Sequence, residues 1–89
     1  MRLDLFLKRT GLLKHRAVAK ETCDRGEVRV DGSRAKASKD IVPGSRIEIG
    51  LPREFLEIRV KGLPDRNYKH SEGEAFYEVV SRSGKGLFS

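Results

Sequence analysis

A glycine, a short alternating segment and an Asp-Gly pair set the strongest constraint on the fold of this chain. Gly26 stands where a residue with left-handed backbone ends a helix. Asp31-Gly32 supplies a two-residue hairpin loop, because both positions of such a loop require positive φ. The sequence therefore predicts a helix that stops at Gly26, a strand over 28–30 and a return strand over 34–37.

Two helical patterns precede Gly26. Leu3, Phe6 and Leu7 have the spacing that places three apolar side chains on one face of a helix beginning near residue 1. A second pattern covers residues 15–25. Its predicted inward stripe consists of Val18, Ala19, Thr22 and Cys23.

The remainder of the chain has the pattern of antiparallel strands. Residues 46–49 and 55–60 alternate apolar and charged side chains, and we predict that they pair as a hairpin. Residues 63–73 are mostly polar and are predicted to form a loop. A last strand is predicted over 76–80.

Length and composition indicate one small domain. Eighty-nine residues enclose a single modest core. We predict an α+β fold in which two N-terminal helices pack on a small, mainly antiparallel twisted sheet. Residues 1–61 form the main unit, residues 62–80 complete it with a loop and the last strand, and residues 81–89 form a flexible tail.

Several classes of function are disfavoured by what the sequence contains. The apolar runs are too short to span a membrane and no secretory signal is apparent, so we predict a cytoplasmic protein. The single cysteine, Cys23, is expected to be a buried helix residue. Histidine, cysteine and carboxylate residues lack the spacing of metal sites or catalytic triads, so we expect no metal, no cofactor and no catalysis.

Positive charge is concentrated in the first part of the chain. Residues 1–40 contain 11 Lys and Arg against 6 Asp and Glu, whereas residues 41–89 contain 8 against 7. A basic surface of this kind is expected for a polyphosphate partner, because each neutralised phosphate releases counterions. Charge alone leaves a solvated basic surface as the alternative. Membrane binding would need an exposed apolar helix face, which the core requires here.

The order and spacing of many residues resemble the S4 RNA-binding domain. They are Arg2-Leu3-Asp4 with Leu7, Leu12 to Arg16, Ala19-Lys20, Gly26-x-Val28-x-Val30-Asp31-Gly32, Lys36-x-Ser38 and Val42-Pro43-Gly44-Ser45-Arg46-Ile47. The resemblance implies the S4 fold with its αL motif, in which two helices on a small sheet grip structured RNA. Among free-standing S4 proteins, the chain is similar to the RqcP and heat-shock protein 15 family.

That resemblance implies a ribosome-associated function. Such a protein would bind ribosomal RNA and tRNA on a stalled large ribosomal subunit that carries peptidyl-tRNA, and would support tail elongation on the nascent chain with RqcH. It would be a monomer off the ribosome. Ser45 replaces the acidic residue usual in the pattern, which implies a weaker turn contact, and the absence of a long basic C-terminal helix favours the RqcP branch. A generic structured-RNA binder or a heat-shock recycling factor is the alternative.

Arginine suits the binding of RNA because its planar guanidinium can hold a phosphate through two hydrogen bonds and can stack on a base. We predict that Arg2, Arg16 and Arg9 position RNA, with Asp4 as a helix cap or as the partner of a nearby arginine. The residues predicted to add positive field are Lys8, Lys14, Lys20, Arg34, Lys36 and Lys39. For each cation, the alternative is a solvated surface residue. Positive charge at 14–16 is unfavourable at the start of the second helix, so either solvent screens it or, as we predict, an anion binds there.

Two further functions are alternatives. Arg2-Leu3-Asp4 also resembles the catalytic segment of pseudouridine synthases, but those enzymes need a catalytic domain and a base pocket that this chain does not supply. A protein-interaction module could instead use the hairpin over 47–60 as an open edge. Four of the six aromatic residues are assigned to the core, which disfavours stacking on single strands; they are Phe6, Phe55, Phe76 and Tyr77.

Overall fold

A computed structural model describes residues 1–64 and 75–84. These residues form two helices, α1 (Leu3–Arg9) and α2 (Arg16–Asp24), and five strands. The strands are β1 (Val28–Val30), β2 (Ser33–Arg34), β3 (Arg46–Gly50), β4 (Glu54–Val60) and β5 (Tyr77–Gly84). They make one sheet in the order β2-β1-β3-β4-β5, in which all neighbouring strands are antiparallel. The predicted α+β fold is therefore confirmed. Neither helix has the length and apolar character needed to cross a membrane.

The junction between α2 and the first hairpin has the predicted geometry. Gly26 has a φ of 74°, and its N–H donates to the Cys23 carbonyl at 2.9 Å. The next N–H in the chain donates to the Thr22 carbonyl at 3.1 Å, which completes a Schellman cap. Asp31 and Gly32 have φ values of 52° and 88° and form the two-residue loop between β1 and β2. Local backbone requirements therefore set the direction in which the chain leaves the helices.

One face of the sheet packs against the helices and forms the core. Helix α1 contributes Leu3, Phe6 and Leu7, none of which is exposed, and α2 contributes a narrower stripe that includes Ala19 and Cys23. Because side chains alternate along a strand, the intervening strand residues lie on the opposite face. The buried sheet residues are Val28, Val30, Ile47, Ile49, Leu56, Ile58 and Val60.

Two predicted core residues are exposed. Val18 is 39% exposed, because α2 contacts the core only through the narrow stripe that includes Ala19 and Thr22. Phe55 is 57% exposed, because its neighbour Leu56 faces the helices and alternation directs Phe55 to the opposite face. The inward assignments of these two side chains were wrong. Among the other aromatic residues, Phe6 is buried, and Phe76 and Tyr77 pack partly buried against the core.

The last strand is longer than the sequence indicated. Residues 81–84 continue β5 and belong to the sheet, rather than to a flexible tail. Residues 85–89, and the predicted loop from residue 65 onward, lie outside the described residues. The hairpin formed by β3 and β4 has a strand on each side, because β1 pairs with β3 and β5 pairs with β4. The alternative in which this hairpin offers an open edge is therefore wrong.

Candidate nucleic-acid interface

A buried carboxylate joins the starts of the two helices. Asp4 lies in the first turn of α1, and only 3% of its side chain is exposed. Its Oδ1 accepts hydrogen bonds from the Leu5 N–H at 2.8 Å and from Arg2 Nε at 3.2 Å, and its Oδ2 accepts one from Arg16 Nε at 3.1 Å. Because Arg16 is the first residue of α2, this carboxylate ties α2 to the first turn of α1. We call Arg2, Asp4 and Arg16 the Asp4 cluster.

The arginines keep the Asp4 carboxylate ionised. Burial acts to raise the pKa of Asp4, but the hydrogen bonds from Arg16, Arg2 and the Leu5 N–H outweigh it, so the pKa lies below its ordinary value of 3.8. At neutral pH the cluster therefore holds two positive charges and one negative charge. The prediction that Asp4 partners a nearby arginine is confirmed.

The ion pairs hold Arg2 and Arg16 without burying them. The two side chains are 52% and 50% exposed, respectively. Both direct Nε at the shared carboxylate, so their positions are coupled and about half of each side chain stays at the surface. The structure thus brings together the two arginines that the sequence placed first, as a linked pair rather than as two independent cations.

The segment that follows the β1–β2 hairpin, residues 36–40, brings further cations to the start of α1. The Leu3 N–H donates to the Lys39 carbonyl at 2.8 Å, and Arg2 forms an isolated antiparallel bridge with Asp40. The side chains of Lys36 and Lys39 are exposed in this segment. Two of the predicted lysines are therefore held near the Asp4 cluster by backbone hydrogen bonds.

A shallow depression of about 460 Å³ beside the first hairpin collects three of the predicted cations. Arg34, Lys36 and Lys39 line it together with Ser38. The guanidinium of Arg34 extends across Gly26, where an added Cβ would overlap it. Because Gly26 ends α2, Arg34 also lies near the helix terminus that the helix dipole makes favourable for positive charge.

The remaining predicted cations differ in their surroundings. Arg9 Nη1 donates to the Pro64 carbonyl at 3.1 Å, and its side chain is partly buried. This contact ties the end of α1 to the segment after β4, so part of the hydrogen-bonding capacity of Arg9 is used inside the protein. Lys8, Lys14 and Lys20 are exposed.

The start of α2 has the features from which an anion was predicted. His15 is the N-cap residue and makes no side-chain cap hydrogen bond, and the first turn contains no acidic residue. Lys14 and Arg16 stand on either side of His15. The anion itself stays a prediction.

Two further polar residues, Asp40 and Ser45, support this region. Asp40 Oδ1 accepts a hydrogen bond from the Met1 ammonium at 2.8 Å, and this bond holds the pKa of Asp40 below its ordinary value. The contact spans 39 residues of chain, and no local pattern signals it. Ser45 is buried, and its hydroxyl accepts a hydrogen bond from the Val42 N–H at 3.2 Å. Ser45 therefore makes a turn contact at this position, and the weaker strength expected in comparison with an acidic residue stays a prediction.

The described residues include no cluster of metal ligands, and their one cysteine is buried. Within residues 1–64 and 75–84, no group of three or more His, Cys, Asp or Glu side chains is arranged to hold a metal ion. Cys23 is buried, as predicted. Burial raises the pKa of the Cys23 thiol to about 11, so the thiol is protonated at neutral pH.

The segment that carries these contacts matches a known family. A model described as the S4 domain matches residues 1–47, which include both helices, the first hairpin and the Asp4 cluster. The chain belongs to the S4 domain family. The predicted S4 fold is thereby confirmed, and the start of α1, α2 and the depression all fall within the S4 match.

Curated and solved S4 relatives match nearly the whole chain. The chain is 35% identical to the RQC P-site tRNA stabilizing factor of Bacillus subtilis over 86 residues, which cover 97% of this chain and 99% of the relative. It is 35% identical over 83 residues to the Streptococcus pneumoniae protein of the same name, covering 93% of each. The trimeric structure of Vibrio cholerae Heat Shock Protein 15 aligns with a TM-score of 0.83 at 26% identity, covering 91% of this chain and 82% of that chain. Predicted membership of the RqcP and heat-shock protein 15 family is confirmed.

Proposed function

We propose that this S4 chain binds ribosomal RNA and tRNA through the surface that contains the Asp4 cluster. The observation that carries the proposal is that one buried carboxylate holds Arg2 and Arg16 together with about half of each side chain exposed. Two arginines fixed in this way lose less side-chain entropy on binding than two free ones. Their guanidinium groups suit phosphate oxygens, and a rigid helical surface suits the shape of folded RNA.

Other cations extend this surface in two directions. Lys8, Lys14 and Lys20 add positive field on and between the helices, and we propose that they contact phosphates. Arg34, Lys36 and Lys39 form a second group in the depression beside the first hairpin. Arg9 is the weakest of the proposed RNA contacts, because its guanidinium already donates to the Pro64 carbonyl.

The names of the relatives support a narrower proposal. We infer that the chain binds the large ribosomal subunit that carries peptidyl-tRNA, contacts both ribosomal RNA and the tRNA, and supports tail elongation on the nascent chain with RqcH. It would act in the cytoplasm, as a monomer off the ribosome and without a cofactor. Residues 1–61 would form the RNA-binding unit and residues 62–80 would complete the same domain. A generic structured-RNA binder and a heat-shock recycling factor are the alternatives.

The surroundings of Asp4 favour binding over catalysis. Hydrogen bonds from Arg2, Arg16 and the Leu5 N–H occupy both carboxylate oxygens, and the side chain is buried. A pseudouridine-synthase-like role would need this carboxylate to reach a nucleobase, which its burial prevents. We therefore assign Asp4 as a positioning residue.

Co-sedimentation with large ribosomal subunits tests the proposed function. We expect Arg2→Ala with Arg16→Ala to weaken binding at least ~10-fold, because two phosphate contacts are lost. The matched control is Arg53→Ala with Arg59→Ala, which removes the same charge from exposed positions outside α1, α2 and the depression. Equal losses for the two double variants would show that only net charge matters, and would contradict the assigned surface.

A second comparison tests the narrower proposal. We expect tighter co-sedimentation with subunits that carry peptidyl-tRNA than with empty subunits, because the tRNA adds a contact. Equal affinity for the two kinds of subunit would favour the generic RNA-binding alternative.

A further inference from the structure

The two edges of the sheet differ in length. At one edge lies β2, which has two residues, and at the other lies β5, which has eight. Among the described strands, only β4 pairs with β5. The outer side of an edge strand presents backbone N–H and C=O groups that can pair with another extended chain. This edge uses none of the proposed RNA contacts, so the inference goes beyond the proposed function.

The hydrogen bonds of β4 show which backbone groups of β5 point outward. The Val60 N–H donates to the Ser45 carbonyl and the Val60 carbonyl accepts the Gly44 N–H, both at 2.8 Å, so both groups are used on the side where β3 lies. In an antiparallel sheet these directions alternate from one residue to the next, so the backbone groups of Ile58 also point toward β3. The β5 partner of Ile58 is Val79, whose N–H and C=O therefore point away from β4.

Two exposed apolar side chains lie at the same edge. Val79 and Val80 are each 45% exposed. Val80 is the extra residue of a β-bulge and has no register partner on β4. The bulge interrupts the edge only locally, because Arg82 pairs with Leu56 and so directs its backbone groups outward as Val79 does.

The charged side chains of β5 are held over β4 by ion pairs. Arg59 Nη2 donates to Glu78 Oε2 at 3.2 Å, and Arg82 Nε lies 3.5 Å from Glu54 Oε2. Charged side chains commonly protect an exposed edge from pairing with another strand. Because both partners here belong to β4, these charges lie across the sheet and leave the valines at the edge.

Net charge distinguishes between two kinds of chain that could pair with this edge. The chain has a net charge of +6, so pairing of two copies through β5 would bring like charges together. A segment with acidic residues is attracted to the same edge by the field of the whole chain.

We propose that the outer edge of β5 binds an extended, acidic segment of a partner protein, which joins the sheet as an additional antiparallel strand. Its backbone pairs with the outward N–H and C=O of Val79, and β-branched side chains of the segment contact Val79 and Val80. An acidic residue of the segment lies near Arg82. Because β1, β3 and β4 separate β5 from the first hairpin loop and β2, RNA in the depression and the partner segment bind at the same time.

Fluorescence polarisation tests this proposal with a labelled seven-residue peptide that alternates threonine and valine and has glutamate as its second residue. We expect Val79→Pro to weaken peptide binding at least about tenfold, because proline removes the outward N–H. Proline is tolerated where the N–H of an edge strand faces solvent, and circular dichroism checks the fold. The matched control is Val79→Thr, which keeps the N–H and a β-branched side chain and should retain most of the affinity.

The N-methylated form of the same peptide tests the pairing without any change to the protein. It lacks backbone donors, so we expect no measurable binding, whereas the unmethylated peptide should shift amide signals of residues 77–84 and leave α2 unchanged. Arg2→Ala with Arg16→Ala should lose ribosomal subunits and retain the peptide, which separates failure of the proposed function from failure of this inference. Absence of peptide binding, equal affinity for the methylated form, shifts confined to α2, or dimerisation of the parent chain through β5 would overturn the proposal.

Discussion

Arg16 Nε lies 3.1 Å from Asp4 Oδ2, and this contact joins two residues that are 12 positions apart in the chain. It fixes the first residue of α2 to the first turn of α1 and, through the same carboxylate, to Arg2. A buried acidic residue on a basic surface lowers the total positive charge. Its value to RNA binding is the fixed position it gives to two guanidinium groups.

The depressed pKa of Asp4 predicts a dependence of stability on pH. Because the folded-state pKa is below the ordinary value of 3.8, the contribution of Asp4 is complete above that value and is lost as pH falls through the folded pKa. We expect Asp4→Asn to lower the free energy of unfolding by about 1–2 kcal/mol at neutral pH. The difference between the two proteins should stay constant from about pH 6 to about pH 5 and should shrink as pH falls below 3.8 to about pH 2.

Urea denaturation across this pH range measures that difference. Asp40 also has a lowered pKa, but it is present in both proteins and cancels in the comparison. A difference between the two proteins that stays constant down to about pH 2 would show that ionised Asp4 does not stabilise the fold.

Among the glycines of the N-terminal half, Gly26 should be the one whose replacement by alanine destabilises the fold most. We expect Gly26→Ala to lower the free energy of unfolding by about 1–3 kcal/mol, because it combines a φ of 74° with overlap between the new Cβ and the Arg34 guanidinium. Gly44→Ala is the matched control, because Gly44 has a φ of 95° and open space around its Cβ position. Urea midpoints should therefore fall further for Gly26→Ala, and adding Arg34→Ala should recover part of the loss. Equal midpoints for the two alanine variants would contradict the Arg34 contact.

Arg9 and its neighbour Lys8 should separate stability from binding. We expect Arg9→Ala to lower the free energy of unfolding by about 1 kcal/mol, because the hydrogen bond to the Pro64 carbonyl is lost. We expect exposed Lys8→Ala to leave stability unchanged and to reduce the slope of log affinity against log salt by about one. Thermal denaturation and co-sedimentation at several salt concentrations measure the two effects. If Arg9→Ala, rather than Lys8→Ala, reduced the slope of log affinity against log salt, the account would be wrong and Arg9 would be a main RNA contact.

Local sequence signals were sufficient for much of the fold. The end of α2 and the first hairpin loop require positive φ, which Gly26 and Asp31-Gly32 adopt more readily than most residues. These residues therefore mark both features without knowledge of the tertiary structure. Ile47 and Ile49 were placed in the core by a different local signal. They are two residues apart, and side chains two apart along a strand lie on the same face of the sheet. Phe55 shows the limit of reasoning from residue type, because its position in the alternation put it on the exposed face despite its apolar ring.

The arrangement of the candidate site depended on contacts between distant residues. Arg9 meets the Pro64 carbonyl across 55 residues, and Asp40 meets the Met1 ammonium across 39. No periodicity in the sequence encodes such pairs. The resemblance to the S4 domain identified Arg2, Asp4 and Arg16 as important, whereas only the structure showed that they share hydrogen bonds.

The most direct test of the Asp4 cluster is the affinity of Asp4→Asn for large ribosomal subunits, compared with that of Asp24→Asn. Both variants raise the net charge by one, and Asp24 is an exposed residue at the end of α2. If Asp4 positions the arginines, Asp4→Asn should bind at least ~5-fold more weakly than the parent despite its added positive charge, while Asp24→Asn should bind equally or more tightly. Tighter binding by a folded Asp4→Asn variant would contradict the account, because it would show that Asp4 only weakens the positive field.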